Sequence, residues 1–353
     1  MDTIDWTTAQ RVGELIAGTP PAGGVIADTV QPLAQDFAQR VSEYAGLQLP
    51  EHLPPLEAVD RPAWIAANLQ TMRPLMESVA ERTTGRFSQG TKLRGASLGL
   101  PEAMRVLSGL LLGAQVGAMA GVLSQRVLGQ YELALLDPSP APRLLLVAPN
   151  LAQVAEEMGV EREELLSWVT IHEITHAVQF SGAPWLRAHL AAMLEELLEG
   201  LDVSVSLSQV LRLTDLGNLR ELADRVRHGE ILRLAMGETR WALMDRMQAT
   251  MSLIEGHAEH VMDAVGAEVL PSLDRLRGAM TDRRENRGLP WRVLARLLGL
   301  ELKMRQYEVG KRFCDAVVDA AGPQGLARAW TSAEALPTTA ELDAPELWLA
   351  RVV

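Results

Sequence analysis

Residues 168–180 read "WVTIHEITHAVQF", with two histidines four apart and a glutamate directly after the first. On a helix, positions i and i+4 share a face, with Cβ atoms about 5–6 Å apart. Ring nitrogens of His172 and His176 can then meet one metal ion, at the roughly 2.0–2.1 Å that zinc takes from imidazole. Glu173 sits about 100° further round the helix. Its carboxylate misses the metal but reaches a water bound there, which is the place of a general base. The surrounding residues Trp168, Val169, Ile171, Ile174, Ala177, Val178 and Phe180 are apolar, which marks the helix as buried. A glutamate and two histidines buried without partners would cost several kcal/mol. A metal ion is the economical partner, and the alternative is a core cluster satisfied by protein groups.

A catalytic zinc takes three protein ligands and keeps a fourth position open. A third histidine on the same segment would need glycine at position 179 and histidine at 182, where the sequence has Gln179 and Gly182. The remaining route is a carboxylate from another helix, and the candidate is Glu255 in "MSLIEGHAEHVMD". It falls on a seven-residue seam with Trp241, Met244, Gln248, Met251, Ala258, Met262 and Val265. The alternative, that Glu255 pairs with a core arginine, stays open at this point. Glu259 and Asp263 flank the seam, placed to orient a ligand histidine. Hydrolysis also needs a donor for the developing oxyanion. Among Tyr44, Tyr131 and Tyr307 the choice is Tyr307, because "RQYEVGKRF" is part of a motif that carries the family resemblance given below, with His257 and Arg305 as reserves. His260 reads as a surface or supporting residue.

The elements that position these residues are mostly helical. Amphipathic patterns cover 6–17, 30–46 and 62–82, the third with Asp60 as cap and Pro62 in its first turn. A Pro-rich stretch separates the second from the third. Residues 83–99 are rich in Gly, Ser and Thr and read as a loop. "LGQYELALL" and "RLLLVAP" read as two short strands around the turn "DPSPAP". Asn150 then caps a short helix, and a long one carries the histidines to Gly182 and Pro184. Helix follows helix from 185 to about 320, and the C-terminal tail reads as a loop packed back through Trp348 and Leu349. The expected class is mainly α with a small β-sheet (α+β). Residues 1–125 form an N-terminal helical lobe and 126–353 the catalytic domain, or the two are one continuous domain.

Composition narrows the function. A net charge of −12 argues against binding nucleic acid or anionic lipid. Arginines between 275 and 287 are interleaved with Asp274, Asp282 and Glu285, the pattern of a solvated, salt-bridged face. The single Cys314 excludes an internal disulfide and reads as a buried hydrophobe. "MDTIDWTTAQ" lacks the features of a secretory signal. Residues 106–124 are apolar enough to span a membrane, but glycines at 109, 113, 117 and 121 make a bare stripe for close helix packing. They are taken as a buried core helix, and the protein as cytoplasmic, without membrane or nucleic-acid partners.

At HEITH and the later "EGHA" the sequence resembles the gluzincin branch of zinc peptidases. His172, Glu173, His176 and Glu255 match that branch residue by residue, although 78 residues separate His176 from Glu255, more than in typical members. A broader resemblance rests on "DWTTAQRV", "DRPAWIAANLQTMRPL", "LVAPNL", "HEITHAVQFSGAPWLRAHL", "IEGHAEHVMD" and "LKMRQYEVGKRF". Together these resemble a bacterial family of zincin-like metallopeptidases, labelled hydrolases or associated with biosynthesis of a deazaflavin coenzyme. The resemblance implies a zincin-like core, one zinc ion and hydrolysis of a peptide or amide bond. The alternative function is a non-enzymatic binding protein stapled by zinc and associated with a cofactor pathway.

Overall fold

A computed structural model describes the backbone of residues 3–18, 30–90, 100–137, 141–199, 237–285 and 300–353. It describes their side chains except at 78–90, 100–105, 199, 283–285 and 300–307. Helix α1 (Trp6–Ala17) starts where Asp5 accepts from the Thr8 N–H at 2.7 Å. That satisfies one of the four amides a helix start leaves orphaned. A 3₁₀ turn, Gln31–Leu33, leads into α2 (Ala34–Ala45), which closes at Gly46 with φ of 64°. Asp60 caps α3 (Arg61–Gly90) through the Ala63 N–H at 2.8 Å. The expected loop from residue 83 therefore begins as helix, because each residue added to a formed helix gains a bond at modest propensity cost. Residues 91–99 of that stretch lie outside the described residues.

Three strands form one sheet in the order β1 (Leu56–Val59), β3 (Arg143–Val147), β2 (Gly129–Glu132). β2 pairs antiparallel and β1 parallel with β3, so β2 is an edge. β1 was hidden by the prolines before it, which end at Pro55, one residue ahead of the first pair, Leu56 with Leu144. Arg143 ties all three strands, bonding Glu57 at 2.9 Å and Glu132 at 3.2 Å. The central strand is buried on both faces, as its continuous apolar run requires. Residues on both sides of position 125 share this sheet.

Helix α4 (Leu100–Ser124) lays its glycine stripe on α1, with Cβ-less positions Gly113 and Gly117 against the carbonyls of Asp5 and Ala9. The expectation of a buried helix holds on that face only. Val106, Leu107, Leu110 and Leu111 are exposed. Among the described residues this is the one helix long and apolar enough to cross a membrane. Helix α5 (Ala148–Met158) follows β3 without a break. Asn150 lies inside it and is no cap. Its side chain accepts from Arg61 Nε at 2.7 Å and donates to the carbonyls of Ser124 and Val127. A buried arginine with neutral partners needed that acceptor more than the helix start did.

The body is built around α6 (Arg162–Gly182), α7 (Trp185–Glu199) and the 32-residue α8 (Glu238–Val269). After α9 (Leu273–Glu285), α10 (Leu300–Ala327) crosses α8 and breaks at Gly322, φ 72°, before Pro323. At the crossing, a Cβ on Gly256 would strike the Gly310 backbone, and one on Gly310 would strike the Ser252 carbonyl. The glycine after Glu255 and the glycine of "YEVGKRF" are thus two halves of one contact. Gly256→Val should destabilise the fold by about 1–3 kcal/mol or more, read as a lowered urea or thermal midpoint. An unchanged midpoint would remove the crossing as a constraint.

Cys314 is fully buried, and burial pushes its thiol pKa up. The tail is helical where a loop was expected: α11 (Thr339–Asp343) starts on a capping box from Thr338 and Glu341, and α12 (Pro345–Val352) follows. Trp348 is fully buried edge-on to Phe313, and its N–H donates to the Ala335 carbonyl at 2.7 Å. The tail docks as expected.

Candidate metal centre

Helix α6 is buried along most of its length, so His172, Glu173 and His176 have no choice but to face protein or the site. α8 lies against it and supplies Glu255. His172 Nε2 and His176 Nε2 are 3.2 Å apart, and Glu255 Oε2 is 3.7 Å from the first and 3.6 Å from the second. Ligands about 2.0–2.1 Å from a tetrahedral zinc lie roughly 3.3–3.4 Å from one another. Three observed separations around that value make a triangle of the right size for one ion. The three side chains are 21%, 11% and 19% exposed, so the triangle opens to solvent on one side.

Electrostatics agrees with the donor set. Burial would raise Glu255, but hydrogen bonds and charge from the two imidazoles outweigh it and hold the carboxyl well below the usual range. Burial also disfavours a charged His176, yet Glu255 and Glu173 lift its pKa to about 9. Two carboxylates beside two imidazoles create a demand for positive charge, which a divalent cation meets. The residues fit zinc.

Glu173 is not one of the triangle. Burial raises its pKa, against the opposing pull of His172 and His176. Its Oε2 accepts from the Tyr131 N–H on edge strand β2 at 2.7 Å. Gly129 on the same strand has to lack a side chain, since a Cβ there would sit 2.8 Å from Glu173 Oε1 and 2.7 Å from Val169. The sheet expected just upstream of the helix therefore holds the carboxylate. Nothing in the pattern of "LGQYELALL" announced that.

Other expectations fall differently. Asp263 turns away from the histidines to Arg277 at 2.8 Å and Lys311 at 3.4 Å. Glu259 lines a cavity of about 380 Å³ together with Trp168, Asp263 and Lys311. Gln179 holds a ligand histidine, its Oε1 lying 2.9 Å from His176 Nδ1. A residue i+3 from a ligand and inside a buried helix was the available signal. His257, a reserve oxyanion donor, is buried and bonds Gln179 Nε2 through Nδ1 at 2.9 Å. Burial, with His260 and His176 adding to it, pushes it down to about 3, so it stays neutral. His260 bonds Tyr44 at 2.8 Å and Asp315 at 2.7 Å, joining three helices. The side chains of Tyr307 and Arg305 lie outside the described residues, although both positions are in α10.

A place on the apolar seam is not what sets Glu255 apart. Residues 252–254 and 256–262 are all buried, so nearly the whole circumference of α8 is core. Glu255 stands out as the less buried position, because it faces the opening.

With the geometry in place, comparison with known proteins places the chain. The family of zincin-like metallopeptidases matches it over residues 4–349. The chain belongs to that family. Among solved structures, it is similar to a Chloroflexus aurantiacus protein described as a "putative hydrolase with a novel fold". The two are 30% identical with a TM-score of 0.68, over 99% of this chain and 98% of that one. No curated protein matches the sequence. Family membership fits the His–His–Glu triangle and suggests a metal ion, typically zinc.

Proposed function

We propose that this zincin-like protein is a zinc-dependent hydrolase of gluzincin type that cleaves a peptide or amide bond, with Glu173 as general base. The observation that carries the reading is Glu173 itself. It is a buried carboxylate beside the ligand triangle, outside it, and fixed by a backbone N–H. A metal site that only stapled the fold would have no use for it.

His172, His176 and Glu255 would hold the ion, which when bound polarises a carbonyl and acidifies water. Glu173 accepts the proton of the attacking water and hands it to the leaving amine, so one residue serves as base and then acid. The Tyr131 N–H occupies Oε2 and leaves Oε1 to exchange the proton. Burial raises the carboxyl's pKa, which suits a group that must take and return a proton. Tyr307, in the helix that crosses α8 beside Glu255, is the proposed oxyanion donor. The reading also puts the protein in the cytoplasm, acting on a peptide or amide substrate, without nucleic acid or membrane.

The test is a peptide-library cleavage assay on zinc-loaded protein. Cleavage that a chelator abolishes and added zinc restores is the expected result. A zinc-replete protein that cleaves nothing would favour a binding protein with a structural ion.

A further inference from the structure

The amide of Gln179 has one permitted orientation. The carbonyl oxygen of Ile254 can only accept, and it lies 2.8 Å from one end of that amide, which must therefore be Nε2. Oε1 then faces His176 Nδ1 at 2.9 Å. An amide oxygen can only accept as well, so Nδ1 carries a hydrogen. In the neutral ring, His176 Nε2 accordingly keeps its lone pair free on the side where His172 Nε2 lies at 3.2 Å and Glu255 Oε2 at 3.6 Å. The second amide hydrogen points to His257 Nδ1 at 2.9 Å, and that ring packs edge-on against Trp330. Gln179 is 0% exposed and His257 1%, so water does not compete for these bonds.

We infer that Gln179, anchored by Ile254 and His257, is a positioning residue that selects the metal-facing nitrogen of His176 and sets the spacing of the two ligand helices. The inference rests on the metal-centre reading above. A free neutral imidazole prefers its hydrogen on Nε2, which here would block the ligand position. Gln179 reverses that preference. Ile254 also immediately precedes Glu255, so the same amide ties α6 to α8 one residue from the third ligand. Orientation of a ligand histidine through its other nitrogen is the established way proteins tune such sites.

Two measurements test this. In metal-free wild-type protein with ¹⁵N-labelled histidine, NMR at alkaline pH should find the His176 hydrogen on Nδ1. In Gln179→Leu it should move towards Nε2, and zinc affinity by chelator competition should fall about 10–100-fold. A wild-type hydrogen on Nε2 overturns the inference, and so does a Gln179→Leu protein that binds zinc as tightly as wild type. The wild-type spectrum needs no variant and stands even if Gln179→Leu folds poorly. If wild type binds no zinc, the metal reading falls, while the position of the hydrogen still decides what Gln179 does.

Discussion

Glu255→Ala should strip zinc from the protein as completely as His172→Ala does, whereas wild type loaded at neutral pH should hold about one ion per chain. Glu255 Oε2 closes the triangle at 3.7 and 3.6 Å from the two histidines. Removing it leaves two neutral ligands and takes away the carboxylate that favours a cation there. The loss should exceed the roughly 10–100-fold expected when only an orienting partner is removed. Glu259→Ala is the matched control, one helical turn away on the same helix and facing the cavity beside Asp263. Its effect on zinc should be small. Metal analysis after dialysis reads all three variants. Zinc retained by Glu255→Ala, or lost equally by Glu259→Ala, would mean a different third ligand. Acidification should release the ion from wild type, because protons compete for the same imidazoles.

Glu173→Gln should keep zinc and lose hydrolysis by on the order of 10²–10⁴-fold. The substitution is close to isosteric. The glutamine oxygen can still accept from the Tyr131 N–H, which leaves its NH₂ where Oε1 lay beside Gly129. The fold and the ligand triangle are therefore undisturbed, and only the ability to take a proton is gone. Steady-state rates on a cleaved peptide, with metal content measured in the same preparation, separate the two effects. A variant that retains both zinc and activity would remove Glu173 from the mechanism.

The sequence alone carried whatever depends on neighbours along the chain. His172, Glu173 and His176 are held by one helix, so their relative placement follows from a spacing of four and from the apolar residues around them. The same holds for α1, which ends where its pattern ends, and for the cap of Asp60 on α3. Strands β2 and β3 announced themselves by composition, and Trp348 by its bulk in a tail of smaller residues. At two places the local signals are weak. The prolines masked β1, and low-propensity residues masked the end of α3.

Tertiary structure decided the rest, because it joins residues that no period relates. Gln179 and Ile254 are 75 positions apart, and Tyr131 and Glu173 are 42. Gln179 looked only like the absence of a glycine, and becomes the group that orients His176 once α8 is beside it. Asp263 looked placed to help a ligand, and is drawn off by Arg277 and Lys311, which approach from α9 and α10. Glu255 was legible as a carboxylate needing a partner, but a buried helix offers little phase contrast, and only the packing of α6 on α8 shows which way it faces. Spacing along a helix fixes which side chains share a face. Which donor or charge meets that face depends on chain that returns from far away, and there hydrogen-bond geometry and the cost of an unpaired buried group choose the partner.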